Sequence, residues 1–164
     1  MNGYGPRMHL KLLSAVLALA CGLAAAGCGG DDDAGKAKTA TTPVLTKTQY
    51  IDRADKICQA STAQLKAAGV KLSGGGEGKL SQAQIVTFLK DSSVPTYERM
   101  LAQLRALVPP PGDAGPIDGY LASLANAIDT VKADPAKYAT PAARDPFDDS
   151  NARAERYGLK VCGS

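Results

Sequence analysis

Ile117, Leu121, Leu124, Ile128 and Val131 recur in strict 4-3-4-3 spacing, and that spacing restricts the fold more than any other feature. It is the seam of a helix that buries one stripe against neighbouring helices. A strand would alternate apolar and polar residues instead, and no stretch sustains period two. The expectation is an all-α fold, a small bundle of about four helices joined by short loops.

The other helices carry their own start and stop signals. Thr46-Lys47-Thr48-Gln49 fits a capping box, in which a hydroxyl caps the third helical amide and the glutamine reaches back. Ile51, Ala54, Cys58, Ser61, Leu65 and Ala68 follow at threes and fours, and Gly69 is a natural stop. A second box, Ser81-Gln82-Ala83-Gln84, opens a helix with the stripe Ile85, Leu89, Tyr97, Leu101, Leu104 and Val108. Pro95 interrupts it by removing a donor and clashing with the preceding turn. Either one kinked helix or two abutting helices results; the retained phase favours the kink. Pro109-Pro110-Pro111-Gly112 ends the run.

Pro116 suits the first turn of the third helix, which Asp134-Pro135 closes, and a loop follows over 138–144. Asp145-Pro146 reads as an N-cap with proline at the first helical position. The last helix, with a weak stripe of Phe147, Ala154 and Tyr157, ends there, and Gly158 takes a left-handed cap with Leu159 folding back.

Ahead of the bundle, residues 1–27 read as a secretory signal. Arg7, His9 and Lys11 precede the apolar run Leu12 to Ala26, and no acidic residue is present. The run is shorter than the roughly 20 apolar residues of a spanning helix, and it holds Ser14 and Gly22. Ala24-Ala25-Ala26 offers an ordinary cleavage site, which would leave Cys28 as a free thiol. Ala25-Ala26-Gly27-Cys28 resembles the lipobox of bacterial lipoproteins. That resemblance implies cleavage before Cys28 and lipidation of its thiol, a diacylglyceryl anchor on the extracytoplasmic face of the cell membrane.

Cysteine parity bears on the choice. Cys21 leaves with the signal, and Cys28, Cys58 and Cys162 remain. If Cys28 carries lipid, Cys58 and Cys162 form one even pair, and export favours their oxidation to a structural disulfide. A redox or metal-binding pair would want CxxC spacing or a nearby histidine. Residues 28–45 read as the lipidated cysteine and a disordered linker, because Gly29 to Leu45 is short of apolar residues. Asp31, Asp32 and Asp33 within it are solvated rather than a cation cage. The bundle domain then spans 46–164.

The ending Tyr157-Gly158-Leu159-Lys160-Val161-Cys162-Gly163, taken with the first-helix pair Ile57-Cys58, resembles that of small helical lipoproteins exported by high-GC Gram-positive bacteria. The resemblance implies an extracytoplasmic location and a disulfide. It implies no particular activity.

Composition excludes several functions. The leader takes away Arg7 and Lys11, so 19 Lys and Arg against 16 Asp and Glu become nearly balanced. Without Lys/Arg blocks there is no electrostatic case for nucleic acid. His9, the one histidine, also leaves with the leader, which removes Ser-His-Asp and Cys-His catalysis and imidazole ligation. Ser73-Gly74-Gly75-Gly76-Glu77-Gly78-Lys79-Leu80 is no phosphate loop: Ser73 and Leu80 stand where Gly and Ser or Thr are needed.

Tyr50, Tyr97, Tyr120, Tyr138 and Tyr157 read as core-edge residues rather than a ligand cleft. Asp145, Asp148 and Asp149 read as helix-start charges rather than a hydrolase pair. The expected role is therefore a non-catalytic, lipid-anchored envelope module without cofactor or metal that binds another envelope protein or supports envelope structure. The alternative is a binder of a small apolar ligand or lipid, which needs an enclosed apolar pocket of at least roughly 300 Å³ between the helices.

Overall fold

At the start of α1 (Lys47–Leu72), Thr46 Oγ1 accepts the Gln49 amide at 3.3 Å while Thr46 N–H donates to Gln49 Oε1 at 3.0 Å. Leu45 and Tyr50 flank this cap at the two positions of a hydrophobic staple, and both are buried. The structure is a computed structural model that describes residues 44–75 and 79–164. Residues 1–43, which hold the expected signal, Cys28 and all but the last two residues of the expected linker, lie outside the described residues; Leu45, expected in that linker, is instead buried in the core because it packs as the staple residue before the cap.

The described chain is all-helical. After α1 come α2 (Gln82–Phe88), a π-helical turn (Leu89–Ser93), α3 (Val94–Arg105), α4 (Ala114–Ala133), the single-turn α5 (Pro135–Tyr138) and α6 (Asp148–Tyr157). The second capping box forms as expected, with Gln84 N–H on Ser81 Oγ and Ser81 N–H on Gln84 Oε1. Helix α4 is central, lying against α3, α5 and α6, while α1 lies against α2 and α3.

All five residues of the 4-3-4-3 seam are buried, and Tyr120 and Ala127 widen it. They meet Ala54 and Cys58 of α1, Met100, Leu101 and Leu104 of α3, and Ala154 and Tyr157 of α6 in one core. Leucine, isoleucine, valine, methionine and tyrosine make up most of this core, with Ala54 and Ala154 letting the helices approach closely.

Pro95 does not split the second helix. Helical backbone continues through it because the turn before it widens, and Val94 N–H reaches back to Leu89 O, five residues earlier. A π turn makes room for the ring and absorbs the missing donor. The kinked helix expected from sequence is thus one run, α2 through α3, joined by a π turn.

Four boundaries differ from expectation. Helix α1 passes through Gly69 and stops at Leu72, before Gly74 and Gly75 at φ +66° and +77°. A glycine inside a helix costs only about 1 kcal/mol, which Leu72, half-buried, offsets. Helix α3 ends at Arg105, and Val108 is 50 % exposed rather than part of the stripe. The proline run that follows disfavours helical geometry in the residue before it. Residues Pro135–Tyr138 form a helical turn capped by Asp134, whose Oδ1 accepts Lys137 N–H at 3.1 Å. Asp145 caps a turn instead of a helix: its Oδ1 accepts Phe147 N–H at 2.9 Å, and α6 begins only at Asp148.

The last helix closes as expected. Gly158 has φ +107°, its N–H bonds Glu155 O, and Leu159 N–H bonds Ala154 O at 2.9 Å. These are the two bonds of a Schellman motif. Leu159 is 1 % exposed, so the cap turns the chain inward and aims the last residues at α1.

Candidate functional site

The tail after α6 is fastened to α1 at two places one turn apart. Cys58 and Cys162 are joined by a disulfide that spans 104 residues. Three residues earlier on the same helix face, Asp55 receives successive amides: Lys160 N–H on Oδ2 at 3.1 Å, then Val161 and Cys162 on Oδ1 at 3.0 and 3.3 Å. A carboxylate that accepts several amides makes charge-assisted bonds stronger than neutral ones. Gly163 then lies so close to α6 that a Cβ there would stand 3.1 Å from both Asn151 O and Glu155 N. Sequence reasoning found the cysteines and missed Asp55, although its place one turn before Cys58 was a usable signal.

Beside this fastening runs a cleft of about 170 Å³ lined by Cys58, Tyr97, Met100, Phe147, Val161 and Cys162, among others. Tyr97 and Phe147 stack across it with ring centroids 4.7 Å apart. Tyr97 and Phe147 also border a second groove, of about 270 Å³, with Tyr138 and Asp145. Both hollows are part polar and open to solvent. Neither is the enclosed apolar space that the small-ligand alternative calls for.

The tyrosines divide. Tyr50 and Tyr120 are 1 % and 2 % exposed, deeper than the core edge expected of them, whereas Tyr97 and Tyr138 are half-buried. Burial, with Asp118 adding to it, pushes the Tyr50 phenol up to about 12. Tyr120 is raised by burial first and then by Tyr50, Asp55 and Tyr97; its hydroxyl has no hydrogen-bond partner among the described residues. Tyr157 is raised by burial and by the bond its hydroxyl donates to Asp113 Oδ2 at 2.7 Å. Its ring meets Tyr50 edge to face at 5.9 Å and carries Lys47 Nζ 4.4 Å above its centroid. Asp113, which sequence reasoning passed over, is thus occupied by a phenol and leaves the first turn of α4 without a side-chain cap.

The three aspartates near α6 have different surroundings. Asp145 and Asp149 border one groove of about 390 Å³, but each is already engaged. Asp149 accepts Arg153 Nε at 2.8 Å and Ser123 Oγ at 2.6 Å. The Arg153 bond, then the Ser123 bond, holds its carboxyl below the usual carboxylate range. An acid so held stays ionised and is a poor proton donor. Asp148 is exposed in the first turn of α6, where its charge suits the helix dipole.

Among the described residues no cluster of three His, Cys, Asp or Glu side chains is arranged to hold a metal. Among the same residues no helix is long and apolar enough to cross a membrane. Set against protein-family models, curated proteins and solved structures, the chain matches none.

Proposed function

We propose that this chain is a lipid-anchored lipoprotein of the cell envelope. Acylated Cys28 holds it on the extracytoplasmic face, and the helical domain serves as a non-catalytic binding or structural module. The observation that carries the reading is the Cys58–Cys162 bond. Such cross-links persist in oxidising compartments and are rare in the cytosol. The bond also consumes both cysteines of the bundle, so that Cys28, at the end of the apolar run, is left for lipid.

The site geometry supports a module rather than an enzyme. The most built-up constellation, Asp55 with Cys58 and Cys162, spends its charge and its sulfurs on holding the tail. The grooves are open, and the acid most strongly perturbed in them is paired. Envelope proteins on the other side of a contact are the expected partners.

Intact-mass measurement of the protein extracted from its native membrane tests the anchor. The expected product begins at acylated Cys28, and Cys28→Ser is expected to remove the lipid mass. An unmodified Cys28, or a mature start at Gly27, overturns the reading. Cross-linking in intact envelopes, followed by capture, then identifies the partner of the folded domain.

A further inference from the structure

We infer that the pole of the domain where α1 begins docks onto the phosphate-polyol headgroups of anionic phospholipids, through a groove lined by Lys47, Asp113, Pro116, Arg153, Arg156 and Tyr157. The inference rests on the membrane address proposed above and says which face meets that membrane.

The groove has a volume of about 320 Å³, and three of its six lining side chains are cations. Among the described residues Lys47 and Arg156 have no carboxylate partner; the ion pairs are Lys132–Glu98 and Arg153–Asp149. Lys47 is positioned by the Tyr157 ring beneath it, at 4.4 Å, rather than by an acid. A cation held over an aromatic face keeps its charge available to an anion. Arg153 lies along α4 where Gly119 leaves room: a Cβ at Gly119 would meet its guanidinium at 3.4 Å.

The single acid of the groove narrows the ligand. Asp113 Oδ2 accepts the Tyr157 hydroxyl, which leaves Oδ1 to accept from a ligand. A bare anion would meet that carboxylate as a like charge. A headgroup that joins a phosphate to free hydroxyls satisfies both: phosphate against Lys47 and Arg156, hydroxyl donating to Asp113. A choline headgroup offers no donor and brings its own cation.

Placement agrees with this chemistry. Lys47 is the first residue of α1, two residues after buried Leu45, so this groove sits at the end of the described chain nearer to Cys28 in sequence. The opposite end of α1, at Lys71, lies about 36 Å further away along the helix axis.

The test uses the protein extracted with its native modification and reconstituted into nanodiscs of phosphatidylglycerol or phosphatidylcholine. Lysines and arginines are labelled with amine and dicarbonyl reagents and read by peptide mass spectrometry. Lys47 and Arg156 are expected to react about fivefold more slowly in phosphatidylglycerol. About 0.5 M salt is expected to erase the difference, and exposed Lys71 is the internal reference that reacts alike in both.

Arg153, which also lines the groove, is expected to be shielded in phosphatidylglycerol discs too, and in the variant Lys47→Glu/Arg156→Glu it is expected to lose that protection. Arg156→Gln, which is milder, is expected to weaken it, with far-UV circular dichroism confirming an intact fold. Equal reactivity of Lys47 in the two lipids overturns the inference. So does protection by soluble glycerol phosphate with none in the discs, which would make the groove a free-phosphate site. The same spectra report the mass at Cys28. An unmodified Cys28 overturns the anchor while discs added in excess still test the groove; acylated Cys28 with equal reactivity overturns the groove alone.

Discussion

Asp55 accepts the backbone N–H of Cys162 at 3.3 Å, one helical turn before the cysteine to which Cys162 is bonded. One face of α1 therefore grips the tail by charge and by covalent bond together. The tail in turn covers Cys58 and lies against α6 at Gly163, so this fastening ties the first helix of the bundle to the last.

The covalent half is expected to dominate. In the chain-entropy account, closing a loop of about 100 residues stabilises a fold by up to roughly 4–5 kcal/mol. Cys58→Ala/Cys162→Ala is expected to cost about 3–4 kcal/mol and to lower Tm by about 10 °C or more. Calorimetry of the two proteins checks this. An unchanged Tm would mean that the tail contributes nothing to the folded domain.

The charged half is smaller and measurable with the bond intact. Asp55→Ala strands the amides of Lys160, Val161 and Cys162 and is expected to cost about 2–3 kcal/mol in urea unfolding. Asp55→Asn, which keeps one carbonyl oxygen, is expected to cost less. In the background lacking the disulfide the Asp55→Ala effect is expected to shrink, because a freed tail no longer needs holding. Full additivity would show that the two contacts act independently.

The bundle was legible in the sequence because its signals are local. The seam of α4, both capping boxes and the Gly158 cap each rest on residues within a few positions of one another, and each formed. The misplaced boundaries arose where a weak local preference met packing: Gly69 stayed helical, and Val108 fell outside because α3 ended at Arg105. The candidate sites were only half legible. Parity arithmetic paired Cys58 with Cys162, but Asp55 meets its amides across 105 or more residues. Asp113 likewise meets Tyr157 across 44 residues, a distance over which no periodic pattern speaks.

Alkaline pH is expected to unfold the domain in one step. Tyr50 is raised to about 12 by burial, and Tyr120 and Tyr157 are raised by burial too. In the unfolded chain these phenols ionise near pH ~10. Above that pH the unfolded state has released protons that the native state keeps, so stability falls as pH rises. Each such tyrosine costs about 1.4 kcal/mol per pH unit between the two values, and nothing below pH ~10. Tyrosinate absorbance and helical circular dichroism, followed together, are expected to change in one coincident transition. Gradual ionisation with the helices intact would contradict it.

Tyr120 supplies the opposite kind of test, a deletion that strengthens the fold. It is 2 % exposed in the first half of α4 and fills the core, yet its hydroxyl has no partner among the described residues. A buried hydroxyl without a hydrogen bond costs about 1–3 kcal/mol of desolvation, whereas the ring's apolar burial survives its removal. Tyr120→Phe is therefore expected to raise stability by about 1 kcal/mol in urea unfolding, with an unchanged dependence on denaturant. Tyr157→Phe is the control, since that hydroxyl is bonded to Asp113 at 2.7 Å and its loss is expected to destabilise. If Tyr120→Phe also destabilises, the Tyr120 hydroxyl has a partner in solution, and the raised phenol then owes less to bare burial than to that bond.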